Sequence, residues 1–114
     1  MPDQIAIQIP RPSFREGSAF TATAYFRNRA TQAADAPSSI KYRLDNLTTC
    51  ETVLDWTTVS PAANVSIDIT ATQNAIRARC TTTERMQLTI ASNPDAATQV
   101  RESVEWDVTD IRRV

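Results

Sequence analysis

Apolar and polar residues alternate with period two along most of the chain, and no segment carries an apolar stripe at helical spacing. Strands are therefore expected almost throughout. Ile5, Ile7 and Ile9 alternate with Ala6 and Gln8, and Pro10 and Pro12 close the segment. Proline cannot donate to a ladder, so this first strand is expected at a sheet edge. Between residues 18 and 26, Phe20, Ala22, Ala24 and Phe26 share one face, and Thr21, Thr23 and Tyr25 share the other. Residues 27 to 38 lose the alternation and read as a loop ending at Pro37-Ser38. Ile40, Tyr42 and Leu44 then oppose Lys41, Arg43 and Asp45, a half-solvated antiparallel strand followed by turn chemistry at Asp45-Asn46. From 50 to 59 the parity slips, because Val53 opposes both Leu54 and Trp56, which predicts a strand with a bulge or a sheet switch. Val65, Ile67 and Ile69 alternate strictly with Ser66 and Asp68. Residues 71 to 84 hold Ile76 among polar neighbours and read as a crossover loop with one apolar plug and room for a helical turn. Met86, Leu88 and Ile90 form the next strand, and Asn93-Pro94-Asp95 the next turn. The last strand places Val100, Val104, Trp106 and Val108 on one face, interrupted by Glu102.

Short strands at a spacing of roughly ten residues predict an all-β chain folded as a single immunoglobulin-like β-sandwich of about seven antiparallel strands. At 114 residues the chain fits one domain covering 1–114, with 1–12 as an edge strand or arm, and two domains would each be too small for a core. Gly17 is the only glycine. Tight hairpin turns favour glycine, so longer connections and type I turns on Asn, Asp and Pro are expected instead.

The charge balance, 12 basic against 13 acidic residues, supplies no long-range field for a phosphate backbone or an anionic membrane, so neither nucleic acid nor membrane is an expected partner. Arg27-Asn28-Arg29, Arg77-Ala78-Arg79 and Arg112-Arg113 are interleaved with acids and read as solvated loop arginines. Lys41 is the only lysine. A bias to arginine suits protein interfaces, where the planar guanidinium makes bidentate, weakly hydrated contacts. Arg27 and Arg29 are accordingly candidate interface residues. Met1-Pro2-Asp3-Gln4 lacks the basic start and apolar stretch of a secretion signal, which predicts synthesis in a cytoplasm.

Catalytic chemistry finds little material. The chain has no histidine, which removes Ser-His-Asp and Cys-His arrangements. One glycine cannot build a phosphate-cradling loop, so no nucleotide cofactor is expected. Asp55, Asp107 and Asp110 lie near the tryptophans in sequence and read as structural or solvated carboxylates. Cys50 and Cys80 fall short of a zinc site without histidine, and no acidic string of calcium-loop type occurs. In a reducing compartment they are two free, partly buried thiols; a disulfide between them is the alternative. Asn46-Leu47-Thr48 and Asn64-Val65-Ser66 match the glycosylation pattern, a match that arises easily in a threonine-rich chain. Trp56 and Trp106 each end an alternating apolar face and are expected as core anchors. No catalytic residue, cofactor or metal is expected.

The pieces Tyr42-Arg43-Leu44-Asp45, Asp55-Trp56-Thr57, Val65-Ser66-Ile67-Asp68-Ile69-Thr70 leading to Asn74-Ala75-Ile76, and Glu105-Trp106-Asp107-Val108 look familiar together. They resemble small fibronectin-III-like or immunoglobulin-like virion proteins of tailed bacteriophages. The resemblance spans most of the chain, rests on strand-pattern residues and brings no catalytic motif. It implies a non-enzymatic virion structural protein, a capsid decoration (cement) protein or another neck or tail accessory. It further implies other virion proteins as partners, the major capsid protein among them, and a homo-oligomer or lattice of copies, with the Ile5-Ile7-Ile9 segment or an open sheet edge available for strand addition, so that Ile5, Ile7 and Ile9 join the candidate interface. A carbohydrate-binding or host-surface adhesion module is the competing expectation, and it requires an exposed aromatic such as Trp56.

Overall fold

A computed structural model of the chain describes residues 4–78, 82–93 and 99–110. Cys80, Arg79, Pro94, Asp95, Arg112 and Arg113 lie outside the described residues. The strands are β1 (Gln4–Gln8), β2 (Ser13–Arg15), β3 (Phe20–Arg27), β4 (Ile40–Asn46), β5 (Glu51–Val59), β6 (Asn64–Ile69), β7 (Thr83–Ser92) and β8 (Val100–Thr109). They form a three-stranded sheet in the order β1-β3-β6 and a five-stranded sheet in the order β2-β8-β7-β4-β5. The fold is an all-β sandwich.

The expectation of about seven strands, all antiparallel, is corrected to eight among the described residues, with one parallel pair. The additional strand is β2, which runs parallel to β8 through Ser13↔Asp107, Phe14↔Val108 and Arg15↔Thr109. Its physical origin is the Pro10-Arg11-Pro12 break. Two prolines interrupt the ladder of β1 on one sheet, and the chain crosses to the other sheet before pairing again. Three residues between Pro12 and the Glu16-Gly17 turn are too few to show a period-two signal, so β2 is invisible to pattern reading.

Elsewhere the alternation sets the burial. In β6 the buried residues are Val65, Ile67 and Ile69, and the exposed ones are Asn64, Ser66 and Asp68. β3 buries Ala22, Ala24 and Phe26 under the same logic. From the five-stranded sheet, Ile40, Leu44, Met86, Leu88, Ile90, Trp106 and Val108 complete the core. The slip of parity in β5 is a bulge: the register against β4 shifts between Tyr42 and Leu44 and again between Leu44 and Asp45. Glu102 sits opposite Ile90 on the inward parity of β8, yet it is exposed while Ile90 is fully buried.

Aromatic rings bridge the two sheets. Phe14 of β2 stacks on Phe20 of β3 with centroids 4.1 Å apart, and Phe20 meets Trp106 of β8 edge to face at 5.0 Å. The buried Trp106 indole donates to Asn74 Oδ1 at 2.8 Å, while Asn74 Nδ2 donates to Ser18 O and Gly17 N donates to Asn74 O. The crossover loop is thus held chiefly by polar clamps; Ile76, the expected plug, is only partly buried against the core. Glu84 is the second clamp. Its Oε1 accepts from Asn46 Nδ2 at 2.8 Å and Arg77 N at 2.7 Å, and its Oε2 accepts from Ala78 N at 2.8 Å. Asn46 Oδ1 in turn accepts from Thr48 N and Thr49 N, closing the β4–β5 turn.

Glycine is scarce, so side-chain-bearing residues take the left-handed turn positions: Gln32, Cys50 and Asn93 have φ of 58°, 60° and 48°. Such a conformation costs an L-residue about 1–2 kcal/mol, while glycine loses about 0.5–1 kcal/mol more chain entropy on folding. Cys50→Gly is therefore expected to stabilise the fold by roughly 0.5–1 kcal/mol, read from the urea midpoint. Glu84→Ala removes the acceptor of one buried donor, Asn46 Nδ2, and of two part-buried amides, those of Arg77 and Ala78, and is expected to cost about 3 kcal/mol or more, whereas Glu84→Gln keeps an acceptor and loses less. Equal losses for the two variants would show that the clamp contributes nothing specific.

Candidate functional site

Two outer faces carry the surface chemistry. On the three-stranded sheet the register sets side chains in rows: Gln4 beside Arg27, Ala6 beside Tyr25 and Asn64, Gln8 beside Thr23 and Ser66, and Thr21 beside Asp68. Thr21 Oγ1 donates to Asp68 Oδ1 at 2.8 Å. Amides and hydroxyls dominate. Ala6 offers only a methyl between two glutamines, and a hollow of about 430 Å³ opens there, bounded by Gln4, Ala6, Gln8, Tyr25, Arg27 and Gln32. Gln32 reaches the hollow from the β3–β4 loop, which is ordered by Asn28 Oδ1 accepting from Ala30 N and Thr31 N and by Gln32 Nε2 donating to Arg29 O. Gln4 Oε1 is enclosed without a hydrogen-bond donor among the described residues. A half-buried tyrosine flanked by amides and a guanidinium can stack on a ring or sugar face and hydrogen-bond around its rim.

The residues of the candidate interface separate. Ile5 is buried, and Ile7 and Ile9 are partly buried against the core, so the edge strand turns its isoleucines inward. What β1 offers outward is Gln4, Ala6, Gln8 and its free backbone edge. Arg27 is exposed at the hollow, and Arg29 is exposed on the loop.

On the five-stranded sheet, Arg85 bridges Glu105 and Asp107, its Nε and Nη1 each donating at 2.9 Å. The hydrogen bond that Arg85 donates to Glu105 and then the charge of Asp107 raise the Arg85 pKa above its ordinary value. Arg43 Nε donates to Asp45 Oδ1 at 3.0 Å and its Nη2 to Thr52 Oγ1 at 2.7 Å. These pairs neutralise one end of the face. At the other end the Arg101 guanidinium lies 5.4 Å from the centroid of the Trp56 ring. Ala91 shares a row with Arg101 and Lys41 on this outer parity and is nonetheless fully buried. The two expected core anchors thus part: Trp106 is in the core, while Trp56 is displaced by the β5 bulge onto the outer face and remains partly exposed.

The remaining candidates are placed simply. Cys50 is a free, exposed thiol in the β4–β5 turn. Asp55 is exposed, with Oδ1 accepting from the Trp56 amide; Asp107 pairs with Arg85; and Asp110 is buried, with its amide donating to Thr82 O. Asn46, in the first glycosylation match, is fully buried in the Glu84 clamp, whereas Asn64 is exposed on β6. No group of three or more metal-ligating side chains occurs among the described residues. No family model, curated protein or solved structure matches the chain.

Sequence reasoning passed over Tyr25 and Gln32. Tyr25 lay on the polar parity of its strand, where an aromatic is itself a signal; Gln32 had none, because its approach to Ala6 depends on how the loop folds back.

Trp56 and Trp106 are expected to differ sharply in solvent access. In Trp106→Phe the surviving tryptophan should be quenched readily by acrylamide, and in Trp56→Phe it should be protected. Trp56→Ala is expected to cost less than about 1.5 kcal/mol, and Trp106→Ala about 3–5 kcal/mol.

Proposed function

We propose that this protein is a non-enzymatic virion structural protein of a tailed bacteriophage, a capsid decoration or other particle accessory that acts by protein–protein contact. The observation that carries this reading is the distribution of contact surface. Tyr25 and Trp56 lie half-exposed on opposite outer faces, and among the described residues no strand pairs with the outer side of β1 or of β6 in the three-stranded sheet. A domain with two faces and open edges can touch several neighbours at once, as a lattice requires. The resemblance in Tyr42–Asp45, Asp55–Thr57, Val65–Thr70 and Glu105–Val108 supports the assignment to a particle. Other virion proteins, the major capsid protein among them, and further copies of this chain are the proposed partners, with the virion as its place.

An immunoglobulin-like topology belongs to the same proposal. Lettered A, A′, B, C, C′, E, F and G in chain order, the strands give one sheet A-B-E and another A′-G-F-C-C′, close to a variable-type sandwich without strands D and C″. Two departures accompany it. Neither β3 nor β7 carries a cysteine for an inter-sheet disulfide, and the core tryptophan is on the last strand.

A second reading, carbohydrate binding or host-surface adhesion, is favoured by one specific observation, the partly exposed Trp56 ring beside Arg101. Mass spectrometry of purified particles tests the first reading: peptides of this chain at a stoichiometry comparable to other structural proteins are expected, and their absence from the particle would overturn it. A glycan array tests the second, with binding expected to fall at least about tenfold in Trp56→Ala if that ring is the platform.

A further inference from the structure

Four strands lie at sheet edges, and three of them are guarded. β1 runs into Pro10 and Pro12, β2 is three residues long, and β5 carries a bulge together with the acids Glu51 and Asp55. Proline, brevity, bulges and charge are the devices that keep an edge from pairing with another chain. β6 has none of the first three. Its register against β3 is unbroken from Phe20↔Ile69 to Tyr25↔Asn64, it contains no proline, and its one charged residue is Asp68.

The direction of its backbone groups follows from one bond. Phe26 N donates to Ala63 O at 2.8 Å, so the Ala63 backbone faces β3. Alternation along an antiparallel ladder then turns the N–H and C=O of Val65, Ile67 and Ile69 toward β3 and those of Asn64, Ser66 and Asp68 outward. Among the described residues no strand pairs with that side.

We propose that β6 pairs antiparallel with β6 of a second copy, with the two-fold axis at Ser66. Only pairings that set even-numbered residues opposite even-numbered ones keep the buried faces of both sheets on the same side. Within that set, centring on Ser66 engages the outward backbone groups of all three residues Asn64, Ser66 and Asp68. Ser66 meets Ser66 of the other copy, and Asn64 meets Asp68 in both directions. The pairing adds about six interchain hydrogen bonds. It sets the Asn64 amide, a donor, opposite the Asp68 carboxylate, whereas centring on Asp68 would oppose two like charges, which is destabilising. The inner residues Val65 and Ile67 also come opposite each other, continuing the apolar face. The product is a six-stranded sheet across two sandwiches. Strand pairing alone covers less surface than a stable dimer needs, so the contact is weak between two free copies and gains strength where many copies are held together.

This inference goes beyond the particle assignment and can fail independently of it. In a Cys50→Ser, Cys80→Ser background, Ser66→Cys places two thiols on a hydrogen-bonded pair whose Cα separation, about 5.5 Å, suits a disulfide. Mild oxidation is expected to give a disulfide-linked dimer. Asn64→Cys and Asp68→Cys should each remain monomeric alone and form a heterodimer when mixed, because 64 faces 68. Ser66→Cys should cross-link at least about tenfold faster than Asn64→Cys by itself. In the wild-type protein, the amide protons of Asn64, Ser66 and Asp68 should exchange more slowly as protein concentration rises. Comparable cross-linking of all three single variants, a monomeric Ser66→Cys, or concentration-independent exchange would each overturn the proposal.

Discussion

The hydrogen bond from the Trp106 indole to Asn74 is the contact on which the rest of the sandwich turns. Trp106 is the largest fully buried side chain, and burial of its N–H without an acceptor would cost a substantial part of what its ring contributes. Asn74 resolves this, and in doing so holds the crossover loop against the start of β3 through Ser18 and Gly17. The rings of Phe20 and Phe14 extend the contact across the intersheet space, so that one polar bond and one aromatic series tie together β2, β3, β8 and the 70–74 turn. Because β2 is only three residues long, its place on the five-stranded sheet depends on Phe14 joining that series.

Buried polar groups throughout the described core act in this way, fastening loops to strands. Glu84 links β7 to β4 and to residues 77–78, and Asn93 Oδ1 accepts from the amide and hydroxyl of Ser38. A small domain with one glycine has few tight turns, and long connections carry an ordering entropy that side-chain acceptors offset by satisfying loop amides. Polar chemistry is thereby drawn inward to hold the frame, and the two outer faces offer amides, hydroxyls, arginines and the aromatics Tyr25 and Trp56.

Much of the fold was legible from alternation, and the failures share a cause. β3, β4, β6, β7 and β8 were read from period two, strict in β6 and interrupted by Glu102 in β8, because one face of each is more buried than the other and burial writes itself into the sequence. The anomaly between Cys50 and Val59 was also legible, as a loss of parity, but its outcome was not. Whether Trp56 falls inside or outside depends on which residue the bulge absorbs, a choice made by the neighbouring strand. The candidate site was less readable still. Ile5, Ile7 and Ile9 looked like a sticky edge because a lone strand cannot reveal which of its faces meets a second sheet, and Tyr25 and Gln32 meet only after a loop folds back.

By itself the sequence determined the class of structure and much of the core, because hydrophobic burial on a pleated surface imposes a period that needs no knowledge of partners. It also settled that no imidazole and no glycine-rich phosphate loop is available to this chain. Only the tertiary structure decided the parallel pairing of β2, the roles of Asn74 and Glu84, the outward turn of Trp56 and which strand edges stand open. Each of these depends on contacts between residues distant along the chain, and such contacts leave no local periodic trace.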